Sequence, residues 1–474
     1  MFDPSIPLSL QELLLAFAPC FTKPSLQTFA TLMTGWICCP GRHSISRLIQ
    51  AASSTAQKKH HSSFYRFLSH GAWEIDALAK TLFHLMLPLL PEEITLIVDD
   101  TLCAKGGPHI FGAAMHYDAR ASTYGRKAAG GAQRFFAFGH NWVVAALWLP
   151  LPWNATRGLA IPFMIRLYRS KKRCPKAVYR KRTEMAAEIV RIVASWVPHD
   201  RRLHVVGDGE YACKNVVKTL PERVVFTGPM LMDAALYDQP DTRPRVGRPS
   251  KKGKRKPSPK TLADRASIPW KELILTIYGQ QVSLLVKAQK CLWYTVAGSQ
   301  WVSMIVTRDP VGRFSDRAFF STDDKIGEEN LLKCFTRRWE IEVAFRNAKQ
   351  AMGIENPQNG WWRREAGSTR PDKQPGPNPH RTKGETAVNH TLVQAFAAYA
   401  LVVVWYWRHG RPHEDVARVK HEAPWYRHKE TPSFADMLAA LRRELWITRF
   451  SRDPVLNQLH KKLDVVLPHW LLAA

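Results

Sequence analysis

Acids are scarce in this 474-residue chain: 40 Asp and Glu stand against 68 Lys and Arg, leaving a formal charge of +28. A deficit of that size argues against a cationic partner and favours a polyanion, nucleic acid being the commonest. A protein that is merely basic is the plainer alternative. No Cys-x-x-Cys pair or zinc-finger spacing occurs among Cys20, Cys38, Cys39, Cys103, Cys174, Cys213, Cys291 and Cys334. Free, mostly buried thiols in a reducing compartment are expected instead. No Lys or Arg precedes Lys23 and an acid comes early, at Asp3, so the charged start of a secretory signal is missing. The longest apolar run, Phe396 to Trp407, is too short for a hydrocarbon core of ~30 Å and reads as a buried helix. These absences point away from the membrane and toward the cytoplasm.

What is present is enough apolar sequence, 45 %, to bury large cores. Residues 1–90 read helical, with Leu10, Leu13, Leu14 and Phe17, then Leu78, Leu82 and Leu85, at helical spacing. The cation-rich stretch 41–73 between them fits either a DNA-binding helical unit or a structural cap. From Ile94 the pattern changes. ITLIVDD (94–100) is a short apolar run ending in two acids, and LHVVGD (203–208) is a second. Two β-favouring runs (138–151 and 159–168) and an amphipathic helix over about 177–197 lie between them. A short helix near 211–219 leads to a further strand, 223–228. Three strands, helix, strand, helix, strand is the order of a ribonuclease-H-like domain. In that order the strands ending in Asp100 and Asp208 are parallel neighbours, so their acids meet at one sheet edge. Residues 243–260 carry nine cations and no acid and read as an extended segment. Residues 229–310 read as a β-rich insertion, 317–324 as a returning strand and 326–353 as one long helix ending at Gly353. The expected class is therefore α/β: a ribonuclease-H-like mixed sheet flanked by helices. A helical N-terminal region (1–90) precedes its first part (91–228). The insertion (229–310), its second part (311–355) and a loop and helical C-terminal region (356–474) follow.

Phe335, Arg338, Glu342, Phe345 and Lys349 are spaced three, four, three and four apart and share a helical face. Such a stripe alone is usually a solvated face. Joined to two acids that end neighbouring strands, it supplies a third carboxylate with cations a turn or two away. Carboxylates holding two hard cations ~3.5–4 Å apart are what metal-assisted phosphodiester cleavage requires.

With these residues in hand, the chain resembles the DDE transposases of bacterial insertion sequences, in the branch with a Tyr-x2-Arg-x3-Glu-x6-Lys signature. Here that signature reads Phe335, Arg338, Glu342 and Lys349. The family's first acid lies in an acid-Asp-Thr motif, here Asp99-Asp100-Thr101, which favours Asp100 and leaves Asp99 as the alternative; its second begins a motif like Asp208-Gly209-Glu210. Phe335 departs from the pattern by lacking the tyrosine hydroxyl. The resemblance implies Mg²⁺ (with Mn²⁺ able to substitute) held by Asp100, Asp208 and Glu342, DNA as substrate, and a homodimer on paired ends. Arg338 and Lys349 would grip phosphates and Trp339 would stack an extruded base or simply pack. The cations Arg245, Arg248, Lys251 and Lys252 suit a minor-groove arm or a nonspecific basic linker. A nuclease without strand transfer and a catalytically silent DNA-binding descendant are the competing functions.

Overall fold

The computed structural model describes residues 2–52, 59–106, 110–118, 121, 135–241, 250–277, 280–357 and 382–451. The N-terminal heptad-like spacing folds as helices. α1 (Leu8–Leu15) buries Leu10, Leu13 and Leu14, and α2 (Lys23–Cys38) buries nearly its whole C-terminal half, including Trp36. α3 (Ile45–Ala52) and α4 (His61–His70) occupy the cation-rich stretch, and α5 (Ile75–Met86) turns Leu78, Leu82 and Met86 inward.

β1 (Glu93–Ala104) follows, with Ile94, Leu96, Ile97 and Val98 all buried. Consecutive buried residues mean burial on both faces, as in a central strand. β2 (Ala114–Tyr117) is a short strand beyond the expected set. β3 (Phe136–Leu151) pairs antiparallel with β1, and β4 (Asn154–Tyr168) with β3, so the first three expected strands form a meander. The crossover helix α6 (Arg182–Ala194) leads to β5 (Arg202–Gly207), parallel to β1, and α7 (Lys214–Val217) leads to β6 (Val224–Met230), parallel to β5.

The later β runs do not stand apart. β7 (Leu236–Tyr237), β8 (Arg255–Lys256), β9 (Lys271–Ile277), β10 (Gln280–Leu292), β11 (Trp301–Arg308) and β12 (Arg317–Ser321) continue the same sheet. The order is β2-β3-β1-β5-β6-β12-β11-β10-β7-β8, with β4 on β3 and β9 on β10, and the join is antiparallel pairing of β12 with β6. Helices α8 (Pro259–Asp264) and α9 (Tyr294–Ala297) lie within this stretch. Residues 250–260, within the stretch read as an extended segment, are held by specific contacts. β8 pairs with β7, the Lys252 ammonium sits 4.1 Å over the Tyr237 ring, and Ser258 Oγ caps α8 by accepting from Thr261 N–H. Arg245 and Arg248 lie outside the described residues.

The long helix expected over 326–353 is two, α10 (Glu328–Thr336) and α11 (Trp339–Ala351). At the junction Arg338, Glu340 and Ile341 donate backbone hydrogen bonds to residues three back, at 3.1, 3.1 and 3.2 Å. That tighter turn breaks the regular ladder. Its two arginines are held by different partners: Arg337 bonds Thr95 Oγ1 at 2.6 Å and stacks on Trp148, while Arg338 reaches Asp99. Gly353 ends α11 with φ of 53°, and Ile354 N–H returns to Ala348 O. A Cβ there would lie 2.7 Å from His43 Nδ1. Gly353→Ala is expected to cost on the order of 2 kcal/mol, left-handed backbone plus clash, read as a lower denaturant midpoint with unchanged slope.

α12 (Thr382–His409), α13 (Pro412–Glu422) and α14 (Phe434–Phe450) are the last described elements, in the region expected to be loop and helix. α12 is long and apolar enough to cross a membrane, but 94 % of its apolar window is buried, against α2, α4, α5, α14 and β4. The terminal helices brace the end of α11. Trp36 Nε1 donates to Met352 O at 2.9 Å, His43 N to Asn356 Oδ1 at 2.9 Å, and Arg442 on α14 bonds Ile37 O and Cys39 O at the end of α2.

Candidate active site

Five acids collect where β5 ends beside β1, which does not stop at Asp100 as expected but runs on to Ala104, still paired with β3. Parallel register places Val98 opposite Gly207, so the residues that follow, Asp99-Asp100 and Asp208, sit side by side. Successive residues of a strand point to opposite faces, and the two aspartates do so. Asp99 faces α11: its Oδ2 accepts from Arg338 Nη1 at 3.0 Å, and Arg338 Nη2 pairs with Glu342 Oε1 at 2.9 Å. One guanidinium thus links the first strand to the third acid. Asp100 faces α6. Its Oδ2 accepts from Asn141 Nδ2 at 2.9 Å and Arg182 Nη1 at 3.1 Å, and its Oδ1 from Tyr211 OH at 3.5 Å. Arg182 in turn forks onto Glu210 at 2.8 and 2.7 Å. Asp208 lies between the two faces, its Oδ1 accepting backbone N–H from Glu210 at 2.9 Å and Tyr211 at 3.3 Å.

Burial first, and the nearby Asp208 charge second, push the Asp99 carboxyl up to about 8, with Arg338 opposing. Asp208 and Glu210 are raised as well, mainly by burial, with the charge of Asp100 adding to both. Negative groups crowded in this way, offering only oxygen donors, fit a hard divalent cation, which would relieve their repulsion. Beside them a cleft of about 390 Å³ is lined by Asp208, Arg338, Phe335, Met230 and Phe319.

Of the other residues singled out from sequence, Phe335 packs on Phe319 with ring centroids 4.6 Å apart, so its face is used for packing. Trp339 is half exposed at the start of α11. Lys349 Nζ bonds Leu102 O at 2.5 Å and Glu355 at 3.1 Å, which pins the far end of α11 to β1. Lys251 is exposed, and Lys252 is engaged with Tyr237 as described. Sequence reasoning did not single out Asn141, Arg182 or Tyr211 as site residues. A signal for Asn141 existed: it interrupts an otherwise apolar run, and a buried amide in a central strand needs a partner.

A model described as DDE superfamily endonuclease matches residues 16–294, which include Asp99, Asp100 and Asp208. A second, described as archaeal putative transposase ISC1217, matches residues 294–369, which include Glu342. No curated protein matches the chain. The first match spans more than half of the sequence and the second continues it through the Glu342 helix, so the chain belongs to the DDE superfamily endonucleases.

Proposed function

We propose that this protein is an insertion-sequence DNA transposase that cuts the ends of its element and joins them to target DNA. The observation that carries the reading is the meeting of Asp208 with acids of β1 and, through Arg338, with Glu342 at one sheet edge. In this reading Asp100, Asp208 and Glu342 hold Mg²⁺, or Mn²⁺ in its place. Asp100 is taken over Asp99 on the acid-Asp-Thr motif; Asp99 is the alternative, since it shares with Glu342 the side of β1 that Arg338 bridges, whereas Asp100 pairs with Arg182. The metal would activate water or a hydroxyl and stabilise the leaving oxygen.

Chemical balance needs no energy cofactor. Hydrolysis at an end forms a P–O bond to water's oxygen and breaks the bond to the 3′ oxygen, which leaves as a hydroxyl. That hydroxyl then attacks a target phosphodiester, exchanging one P–O bond for another and giving up its proton. Arg338, between Asp99 and Glu342, would take a phosphate, and Lys349 would do so by exchanging its contacts with Leu102 O and Glu355 for DNA. Half-exposed Trp339 offers a stacking face for an extruded base, and a hairpin step through it would leave covalently closed ends in end-labelled digests. Assembly as a homodimer on paired ends, bacterial origin and residence in the cytoplasm at the nucleoid belong to the same proposal.

The test is a strand-transfer assay with labelled element ends and supercoiled target. Joined products that depend on Mg²⁺ are expected. Efficient nicking with no joining would leave a nuclease only.

A further inference from the structure

Lower on the same strands, three different donor types meet from three elements. Glu93 opens β1, His204 lies in β5 and Cys334 lies in α10, and one ligand atom of each falls within 4.8 Å of the other two. His204 is wholly buried and Cys334 nearly so. The imidazole Nδ1 stands 3.2 Å from Glu93 Oε1, and Nε2 stands 2.7 Å from Thr227 Oγ1. With Nε2–H donating to Thr227, Nδ1 presents a lone pair toward a carboxylate and a thiol. Three such atoms facing one another need a positive centre among them, either the proton of a charged imidazole, which Glu93 and Cys334 favour, or a metal ion that displaces it. Glu93 and Cys334 also line a cleft of about 900 Å³, which gives an ion a way in and a water room beside it. The neighbouring guanidiniums help to hold the Glu93 carboxyl low, but their direct contacts go elsewhere, Arg202 to Asp323 at 3.1 Å and Arg337 to Thr95 and Trp148.

We propose that Glu93, His204 and Cys334 bind a transition-metal ion, with Thr227 orienting the imidazole and the fourth position open to the cleft. A thiolate, an imidazole and a carboxylate match zinc best, and a hydrogen bond on the second ring nitrogen is the usual companion of a histidine ligand. The site is separate from the catalytic acids. His204 precedes Asp208 by four residues, roughly 13 Å along a strand, and the catalytic set contains neither thiol nor imidazole. Its consequence is positional: the ion would tie β1 and β5 to α10, the helix that runs directly into Arg338 and Glu342. Binding changes no oxidation state. The Cys334 thiol proton, and any proton on Nδ1, pass to solvent as the ion enters.

Cobalt titration of the metal-free full-length protein tests this without reference to activity. A thiolate-to-cobalt charge-transfer band is expected, saturating with one thiolate-bound ion per chain, lost in Cys334→Ser, and retained in Asp208→Asn. Thr227→Val is expected to weaken binding ~10- to 100-fold. Absence of the band in the wild-type protein would overturn the proposal, leaving a proton between His204 and Glu93 as the occupant. A band that survives Cys334→Ser would do the same by pointing to another thiol. Should Cys334→Ser fail to fold, Glu93→Gln, at a partly exposed position, is expected to loosen cobalt at least ~10-fold; unchanged affinity there contradicts the assignment.

Discussion

Asp208→Asn is expected to lower DNA cleavage by on the order of 10³-fold or more while leaving the fold intact. The metal supplies several kcal/mol of transition-state stabilisation, and each ~1.4 kcal/mol is a factor of ten in rate. Asn keeps an oxygen that can accept from Glu210 N–H and Tyr211 N–H, so the turn after β5 survives and the loss is chemical. The same substitution separates the neighbouring acids. Asp100→Asn is expected to match the Asp208 variant. Asp99→Asn, which weakens only the brace on Arg338, is expected to retain measurable cleavage. An inactive Asp99 variant beside an active Asp100 variant would exchange their roles. Cleavage rates with circular dichroism on the same preparations decide it.

The second large effect concerns acid. His140 is held down to about 3 by burial, chiefly, and by nearby Lys105. His390, buried and stacked 3.6 Å from Trp73, is held down to about 4, again by burial. Above pH 6.5 both are neutral folded or unfolded and contribute no slope. Between 6.5 and about 4 the unfolded chain takes up two protons that the folded chain refuses, so stability falls with pH by about 2.7 kcal/mol per unit for the pair. Asp99, pushed up to about 8, pulls the other way: folded, it keeps a proton that the unfolded chain has lost, and stability rises as pH drops from 8 toward 4. The pair is therefore isolated by difference. Denaturant unfolding at pH 6.5, 5.5 and 4.5 is expected to show a shallower acid loss in the His140→Gln/His390→Gln protein than in the wild type. Parallel pH profiles would mean that the two histidines protonate freely in the folded state.

Much of this was legible in the sequence because the signals were local. ITLIVDD and LHVVGD announce two buried strands with acids at or beyond their apolar runs. β1 in fact runs on past its acids to Ala104 and Asp208 follows the end of β5, and the parallel pairing of the two brings those acids side by side. The end of the Glu342 helix was legible in Gly353, whose positive φ only glycine takes without strain. What was not legible depended on partners distant in the chain. Nothing in 326–353 shows the break after Thr336, because its cause is the anchoring of Arg337 and Arg338 on β1. The basic stretch after Ser250 looked extended because composition does not reveal that Lys252 has Tyr237 beneath it, or that β12 carries the later strands onto the main sheet. That Asp99 and Asp100 face opposite ways, and which arginine waits on each side, is shown only by the fold. Arg338 and Arg182 are about 150 residues apart, so no local pattern links them.

Anomalous scattering from Mn²⁺ in crystals of the protein bound to its element's DNA ends examines the core of this account most directly. Manganese peaks within about 2.2 Å of carboxylate oxygens of Asp208, Glu342 and Asp100 are the predicted result. DNA cut in the crystal with no ion at those side chains, or with Glu342 turned away from it, would contradict the account.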